Sequence, residues 1–404
     1  MSLEKQIREY IQKDINEEIV DRPSDSFWTA LKGCGTTLWL DTGDMDEALE
    51  IWSGDMEALT TNNTLINKVI QKGIYDDFIS RTQELLGSLP REKQIMETAF
   101  ILNARHGLRL TEKFGGLVSV ELHTATAHDV DEIVNYGLRY RDICPDSFII
   151  KVPHTISGLI GARLLRDKGV RINFTLGFSA RQNVLAANIA RPDYLNVFLG
   201  RIGAYVADNN IGDGSGTGEK TVIETQKYIS EIRSSINTKT KLIAASIRHH
   251  DQLEALAGVD VFTMPPKVAK SGYNELPGNF TSRLKEDYEP GLDIAPGQEG
   301  MNKFWEVDSR LSNLARMLGN TLIKDPEDLE KIFHDEGFED MFPTLSTEEK
   351  QKISDEGKIP LRSTWLDKLN AGKIAPDTLL NLAGLASFTL DQEALDKRIA
   401  SIIK

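Results

Sequence analysis

The alternation of strand-like and helix-like segments is the feature that most constrains the fold. Eight short apolar runs recur along the first two thirds of the chain, and amphipathic helical patterns separate them. The runs cover residues 37–41, 57–60, 117–121, 148–152, 171–176, 194–199, 241–246 and 260–263. Strands that alternate with helices pair in parallel, and eight such units predict a (β/α)8 TIM barrel of the α/β class. A doubly wound open sheet is the alternative.

Two regions lie outside this repeat. Residues 74–114 carry two helical patterns, which is a long insertion between the second and third runs. After about residue 271 the strand patterns stop, and helical patterns occupy residues 301–404. We therefore predict an N-terminal helical segment at 1–36, the barrel with the active site at 37–270, and a helical C-terminal extension at 271–404 packed on the barrel. An independent small helical domain is the alternative for the last region.

Composition restricts the partners. The 404 residues include 47 basic and 61 acidic side chains, and this net charge of −14 disfavours nucleic acid and anionic membranes. No run approaches the ~18 apolar residues of a membrane span, and the first residues lack the apolar core of a secretory signal. The two cysteines, Cys34 and Cys144, have no disulfide or metal-ligand spacing. We expect a cytoplasmic protein without metal or other cofactor, and the sequence leaves room for a homodimer.

Polar side chains gather at the C-terminal ends of the predicted strands, where parallel barrels carry their chemistry. These residues are Asp41, Asn62, Glu121, Lys151, Asn173, Thr175, Asn196 and Ser246. Because alternate residues of a strand share a face, Asn173 points the same way as Thr175, and Ser119 the same way as Glu121. Polar groups that converge in a packed interior are costly unless they are paired or used. The pattern therefore predicts a functional site at the mouth of the barrel.

Lys151 is the sharpest of these signals because it lies within the apolar run FIIKVP. Burial would favour the neutral amine, which is the nucleophile that forms a Schiff base with a ketone. Glu121 and Asp41 on nearby strands could then move the protons of imine formation and aldol cleavage. Two alternatives stay open: an edge-strand lysine that reaches water, and a structural ion pair between Lys151 and the carboxylates.

Arg201 and Arg248 each follow the end of a predicted strand. The planar guanidinium group of arginine matches the oxygens of a phosphate. Two arginines beside consecutive barrel strands therefore predict a clamp for an anion. A pair of surface salt bridges is the alternative.

The order and spacing of these motifs resemble the transaldolases, within the class I, Schiff-base-forming aldolases. The matching segments lie between about residues 37 and 268 and read LDTGD, TTNNT, VSVEL, IIKVPHTISGL, INFTLGFS and VFLGRI. The resemblance implies that Lys151 forms the Schiff base, that Glu121 and Thr175 position a catalytic water, and that Asp41 acts in acid–base steps. It also implies a sugar and phosphate site lined by Asn62, Asn173, Asn196, Ser246, Arg201 and Arg248.

The sequence departs from the family pattern at two positions that bear on donor preference. Asn196 replaces a common serine near the dihydroxyacetone unit, and His123 replaces a frequent aspartate. The resemblance nevertheless implies transfer of a dihydroxyacetone unit from sedoheptulose 7-phosphate or fructose 6-phosphate to an aldose phosphate, in the non-oxidative pentose phosphate pathway. One alternative is direct cleavage of the type catalysed by fructose-6-phosphate aldolase. The other is a catalytically silent sugar-phosphate binding protein.

Overall fold

The computed structural model describes residues 2–403 and contains a closed barrel of eight parallel strands. The strands are β1 Thr37–Asp41, β2 Met56–Thr60, β3 Leu117–Glu121, β4 Phe148–Pro153, β5 Ile172–Thr175, β6 Tyr194–Phe198, β7 Lys241–Ala245 and β8 Val261–Met264. Each strand pairs with the next along the chain, and β8 pairs with β1 to close the barrel. The predicted (β/α)8 TIM barrel is confirmed, and the open sheet is wrong.

Helices cover the outside of the barrel, so the strands are apolar along nearly their whole length. Two helices precede β1, namely α1 Leu3–Gln12 and α2 Ser26–Gly33. The helices that follow the strands are α3 Met45–Leu49, α4 Asn63–Gln71, α5 Asp76–Leu86, α6 Arg91–Phe114, α7 Val130–Ile143, α8 Ile156–Arg166, α9 Ala180–Ile189, α10 Leu199–Asp208, α11 Thr217–Ile236, α12 Asp251–Ala255 and α13 Pro266–Glu275. The insertion predicted at 74–114 is α5 and α6.

After α13 the chain is irregular over residues 276–297, and the rest of the region after β8 is mostly helical, as the sequence predicts. Its further helices are α14 Ser309–Gly319, α15 Pro326–Asp335, α16 Thr347–Glu356, α17 Arg362–Asn370 and α18 Pro376–Ile402. Phe304, Phe333, Leu380 and Phe388 belong to the same buried apolar cluster as the barrel side chains. Although α18 has 27 residues, no helix within residues 2–403 is both long and apolar enough to cross a membrane.

Helix α18 lies across the C-terminal end of the barrel, where the strands point. The Asn381 side chain donates to the carbonyl of Leu176, just after β5, over 2.8 Å. His123, just after β3, has its Nε2 3.2 Å from an Oδ2 of Asp396. A buried ion pair joins α9 to the first turn of α18, with Arg181 bound to both carboxylate oxygens of Asp377. The last described helix therefore forms part of the barrel mouth.

Candidate active site

A cavity opens at the C-terminal ends of the strands, and it brings together most of the residues predicted from the sequence. Of the ten predicted residues, those that line it are Asp41, Asn62, Lys151, Asn173, Asn196, Arg201 and Ser246. Glu121, Thr175 and Arg248 do not line it directly. Within residues 2–403, no group of three or more His, Cys, Asp or Glu side chains is arranged around a common metal position.

Lys151 lines this cavity from β4, and the closed barrel has no edge strand. In the register of the barrel it lies between Glu121 of β3 and Asn173 of β5. Its side chain is 4 % exposed, and its Nζ donates to the carbonyl of Thr61 over 3.1 Å. The same Nζ lies 3.7 Å from Oε2 of Glu121. The interpretation as an edge-strand lysine that reaches water is therefore wrong, whereas an ion pair with Glu121 is present.

Glu121 is buried behind Lys151 inside the barrel. Burial raises the pKa of this carboxyl to about 7, although the nearby charge of Lys151 acts in the opposite direction. Within the described residues, Glu121 Oε2 and Thr175 Oγ1 are both buried and have no hydrogen-bond partner. Such unsatisfied buried atoms are few in folded proteins and concentrate where a ligand or reaction uses them. A carboxyl that titrates near neutrality can both donate and accept a proton.

Asp41 ends β1 on another side of the cavity. The hydroxyl of Thr60 donates to its Oδ1 over 2.9 Å, and Thr60 shares a second hydrogen bond with Thr263 of β8. Burial raises the pKa of Asp41, and the charge of Lys151 and the Thr60 hydrogen bond partly offset this effect. Sequence reasoning missed both threonines as cavity residues, although each lies near the C-terminal end of a strand.

The three asparagines of the cavity form hydrogen bonds with different partners. The amide of Asn173 donates to Oγ of Ser119 over 3.1 Å, which agrees with the prediction that these strand faces point into the barrel. Oδ1 of Asn196 accepts from the backbone of Gly177 over 3.2 Å. Asn62 is the N-cap of α4, where its Oδ1 accepts from the backbone of Leu65 over 2.9 Å. Asn62 therefore caps α4 as well as lining the cavity.

Arg201, in the first turn of α10, is buried but has an unused donor. Its guanidinium carbon lies 5.4 Å from the ring centroid of Phe198 and 5.5 Å from that of Phe388. Its Nη1 is buried without a hydrogen-bond partner among the described residues. Burial, with the nearby charge of Arg248, lowers the pKa of Arg201 to about 10. An arginine held in this way is ready to bind an anion.

Arg248 is exposed and approaches the same site from the loop after β7. Its side chain packs beside Gly200, where an added Cβ would lie 2.8 Å from Cγ of Arg248. That Cβ would also lie 2.2 Å from the carbonyl oxygen of Ser246, so only glycine fits at position 200. The charges near Arg201 and Arg248 include carboxylates, but neither arginine forms a salt bridge of 4.0 Å or less within residues 2–403. The pair of surface salt bridges predicted as the alternative is therefore wrong.

Two cavity residues come from the C-terminal region, where the sequence offered no motif. Lys358 lies in the turn between α16 and α17, and Phe388 lies on α18. Both are separated from Lys151 by more than 200 positions, so no spacing rule connects them with the barrel motifs. His123, noted as a departure, contacts α18 and does not line the cavity.

Comparison with known proteins agrees with this geometry. Residues 38–293 match the family model described as Transaldolase/Fructose-6-phosphate aldolase. A protein of Thermus thermophilus named "Probable transaldolase" is 35% identical over 237 residues, which are 58% of this chain and 88% of that protein.

Two further relatives are named "Transaldolase". The protein of Xanthomonas euvesicatoria pv. vesicatoria is 30% identical over 251 residues, which are 59% of this chain and 76% of that protein. The protein of Prochlorococcus marinus subsp. pastoris is 28% identical over 291 residues, which are 69% of this chain and 84% of that protein. The predicted resemblance is confirmed: the chain belongs to the transaldolase/fructose-6-phosphate aldolase family of enzymes.

Proposed function

We propose that this protein is a transaldolase that forms a Schiff base through Lys151. It transfers a dihydroxyacetone unit from a ketose phosphate, such as sedoheptulose 7-phosphate or fructose 6-phosphate, to an aldose phosphate. The observation that carries the proposal is the buried amine of Lys151, 3.7 Å from Glu121, in one cavity with Asp41 and Arg201. The reaction belongs to the non-oxidative pentose phosphate pathway, and we assign it to the cytoplasm.

The first half of the reaction begins with addition of the free amine of Lys151 to the ketone carbonyl. Loss of water, with a proton from Glu121, gives an iminium ion. Asp41 then takes the proton of the C4 hydroxyl, and the bond between C3 and C4 breaks. Its electron pair moves toward the iminium nitrogen and leaves an enamine on Lys151. The released fragment departs as an aldose phosphate with a new carbonyl group.

The second half runs in the opposite direction with a different aldose phosphate. The enamine carbon attacks the aldehyde, and Asp41 returns its proton to the new hydroxyl. Water then adds to the iminium carbon, with Glu121 as the base and Thr175 as its partner in orienting the water. Lys151 is released as an amine together with the new ketose phosphate.

The protonation behaviour of the carboxyls supports these roles. The pKa of Glu121, raised to about 7 by burial, allows it to give up a proton in one half-reaction and regain it in the other. The pKa of Asp41 is also raised by burial, which makes its carboxylate a stronger proton acceptor than an exposed aspartate. Asn62, Asn173 and Asn196 supply the polar wall for the sugar hydroxyls.

The phosphate end of the substrate fits beside Ser246, Arg201 and Arg248. Arg201 has a buried donor without a partner among the described residues, and Arg248 packs against Gly200, the residue before Arg201. Arginine–phosphate hydrogen bonds are charge-assisted and directional, so they orient the sugar chain toward Lys151.

Trapping of the imine tests the proposal. The protein is incubated with fructose 6-phosphate, reduced with borohydride and mapped by peptide mass spectrometry. We expect an adduct of dihydroxyacetone size on Lys151, and none in the Lys151→Met variant. Lys227→Met, an exposed lysine paired with Glu224, is the matched control and should trap like the parent.

The Asp41→Asn variant separates imine formation from cleavage. Without the proton acceptor, we expect a reduced adduct on Lys151 that keeps six carbons and the phosphate. In the parent protein, added aldose phosphate should distinguish transfer of the dihydroxyacetone unit from its release to water, as in direct cleavage by an aldolase. If neither fructose 6-phosphate nor sedoheptulose 7-phosphate gives an adduct in the parent, the proposal is refuted and the silent binding protein is favoured.

A further inference from the structure

The anion end of the cavity contains more positive charge than the barrel alone supplies. Besides Arg201 and Arg248, the cavity is lined by Lys358, which lies in the turn between α16 and α17. This position is beyond residues 38–293, the segment that matches the family model. The C-terminal region thus places a cation at a site otherwise built from strand ends.

Lys358 has no salt bridge or hydrogen bond within residues 2–403, although its ammonium lies in the field of several charged groups. The positive charges of Arg201, Lys68 and Arg248 act on it, and Asp391 of α18 is the opposing negative charge. Desolvation and the charge of Arg201 lower the pKa of Lys358. Cations brought together without paired anions repel one another unless an anionic ligand joins them.

The turn that carries Lys358 is anchored on both sides. Before it, the carboxylate of Glu356 accepts from the backbone of Leu361 over 2.9 Å and from the indole of Trp365 over 3.0 Å. After it, the amide of Asn209 donates to the carbonyl of Pro360 over 3.0 Å. Asn209 directly follows α10, the helix whose first turn carries Arg201. The barrel therefore fixes the backbone beside Lys358, while its side chain remains exposed and unpaired.

We propose that Lys358 binds the phosphate of the substrate as a third cation beside Arg201 and Arg248, so that the C-terminal region determines selectivity for phosphorylated sugars. This inference rests on the proposed function for its substrate class. The ligand chemistry is that of a phosphate monoester dianion, for which ammonium and guanidinium groups are the usual protein partners. Phe388 completes the subsite, because its ring packs against the guanidinium of Arg201.

The test compares Lys358→Gln with the control Lys68→Gln. Both substitutions remove one positive charge, but Lys68 is exposed on α4 and does not line the cavity. Inorganic phosphate is the probe, and its Kd is measured by calorimetry at fixed ionic strength. We expect Lys358→Gln to weaken phosphate binding about five- to tenfold, since the lost charge-assisted contact is partly screened by solvent. Lys68→Gln should change the Kd by less than about twofold.

Steady-state kinetics and trapping provide the second readout. For Lys358→Gln, the KM for fructose 6-phosphate should rise by a similar factor while kcat stays near the parent value. Dihydroxyacetone has no phosphate, so borohydride trapping of its imine should label Lys151 in Lys358→Gln to the same extent as in the parent. Lys358→Arg should recover most of the phosphate affinity because it restores a cation.

Two results would overturn the inference. One is an unchanged Kd for phosphate in Lys358→Gln, and the other is an equal loss in Lys68→Gln, which would indicate a long-range field rather than contact. Failure of the proposed function looks different, because the parent would then bind phosphate through Lys358 but trap no sugar on Lys151.

Discussion

The buried ion pairs that Arg181 of α9 forms with two aspartates of the C-terminal region lead to a prediction about how that region is held on the barrel. Arg181 donates to both oxygens of Asp377 and to Oδ2 of Asp340, each over 2.7 Å. All three residues are at most 4 % exposed. Asp340 keeps a second partner in Lys303 at 2.8 Å, and Asp377 keeps the backbone amide of Thr378 at 2.9 Å. The Arg181→Met substitution would leave both carboxylates without their shared cation.

The expected loss in the free energy of unfolding of Arg181→Met follows from the burial of these ion pairs. Removal of one partner from a buried ion pair costs about 3–5 kcal/mol, and the remaining partners of the two aspartates place this case near 3 kcal/mol. At about 2.1 cal/mol/K per residue, the 404 residues have an unfolding entropy of roughly 0.85 kcal/mol/K. A loss of about 3 kcal/mol then lowers the melting temperature by about 3–4 °C if the chain unfolds as one unit.

Calorimetry and hydrogen exchange measure this effect. Arg181→Met should melt earlier, and the backbone amides of α18 should exchange faster than in the parent because its first turn has lost an anchor. Arg283→Met is the matched control, since Arg283 pairs with Glu254 where both side chains are more than one third exposed. Exposed pairs contribute at most about 1 kcal/mol. An Arg181→Met protein with unchanged melting temperature and unchanged α18 exchange would refute the reasoning.

Two other substitutions test the site itself. The pKa of Glu121 is raised from 4.5 to about 7, so the folded protein keeps a proton that the unfolded chain releases near pH 4.5. Stability should therefore fall as the pH rises from 4.5 to about 7 and then level off, because Glu121 is deprotonated in both states above its folded pKa. Glu121→Gln should flatten this decline in melting temperature between pH 5 and pH 7, and an equal decline in both proteins would contradict the reasoning. Gly200→Ala places a Cβ 2.2 Å from the carbonyl oxygen of Ser246, so the backbone beside Arg201 must shift and the KM for phosphorylated substrates should rise about tenfold. In the control Gly203→Ala the nearest contact of the new Cβ is 3.3 Å, and its KM should stay close to that of the parent. Equal KM values in the two variants would contradict the steric argument.

The barrel could be predicted from the sequence because its pattern is local. Each predicted strand overlaps an observed one, and their ends differ by at most one residue, as at Met56 and Pro153. Strand and helix periodicities can be recognised within a window of a few residues, and parallel pairing follows from their alternation. The division of the chain at 36 and 270 stays a prediction; the second boundary falls inside α13.

The cavity could be predicted only in part, because only some of its residues belong to a local sequence pattern. Lys151, Asp41 and Asn173 stand out because polar residues interrupt or end apolar strands. Lys358 and Phe388 have no such signal, since an exposed lysine after a glycine and a phenylalanine in an apolar helix are ordinary by themselves. Their place in the cavity depends on contacts such as that between Asn209 and Pro360, which join distant segments.

The position of α18 also affects the order in which the site is built during synthesis. Protein chains emerge from the ribosome N-terminus first at about 5–20 residues per second, so residues 271–404 follow the barrel by roughly ten seconds. During that interval the nascent barrel contains Lys151 and Arg201 but has neither the ring of Phe388 over Arg201 nor the carboxylate of Asp377 on Arg181. The mouth of the barrel is therefore completed after translation of its own strands has ended. The last residue of the cavity wall to be synthesised, Phe388, therefore lies on the same helix whose Asp377 binds the barrel through Arg181.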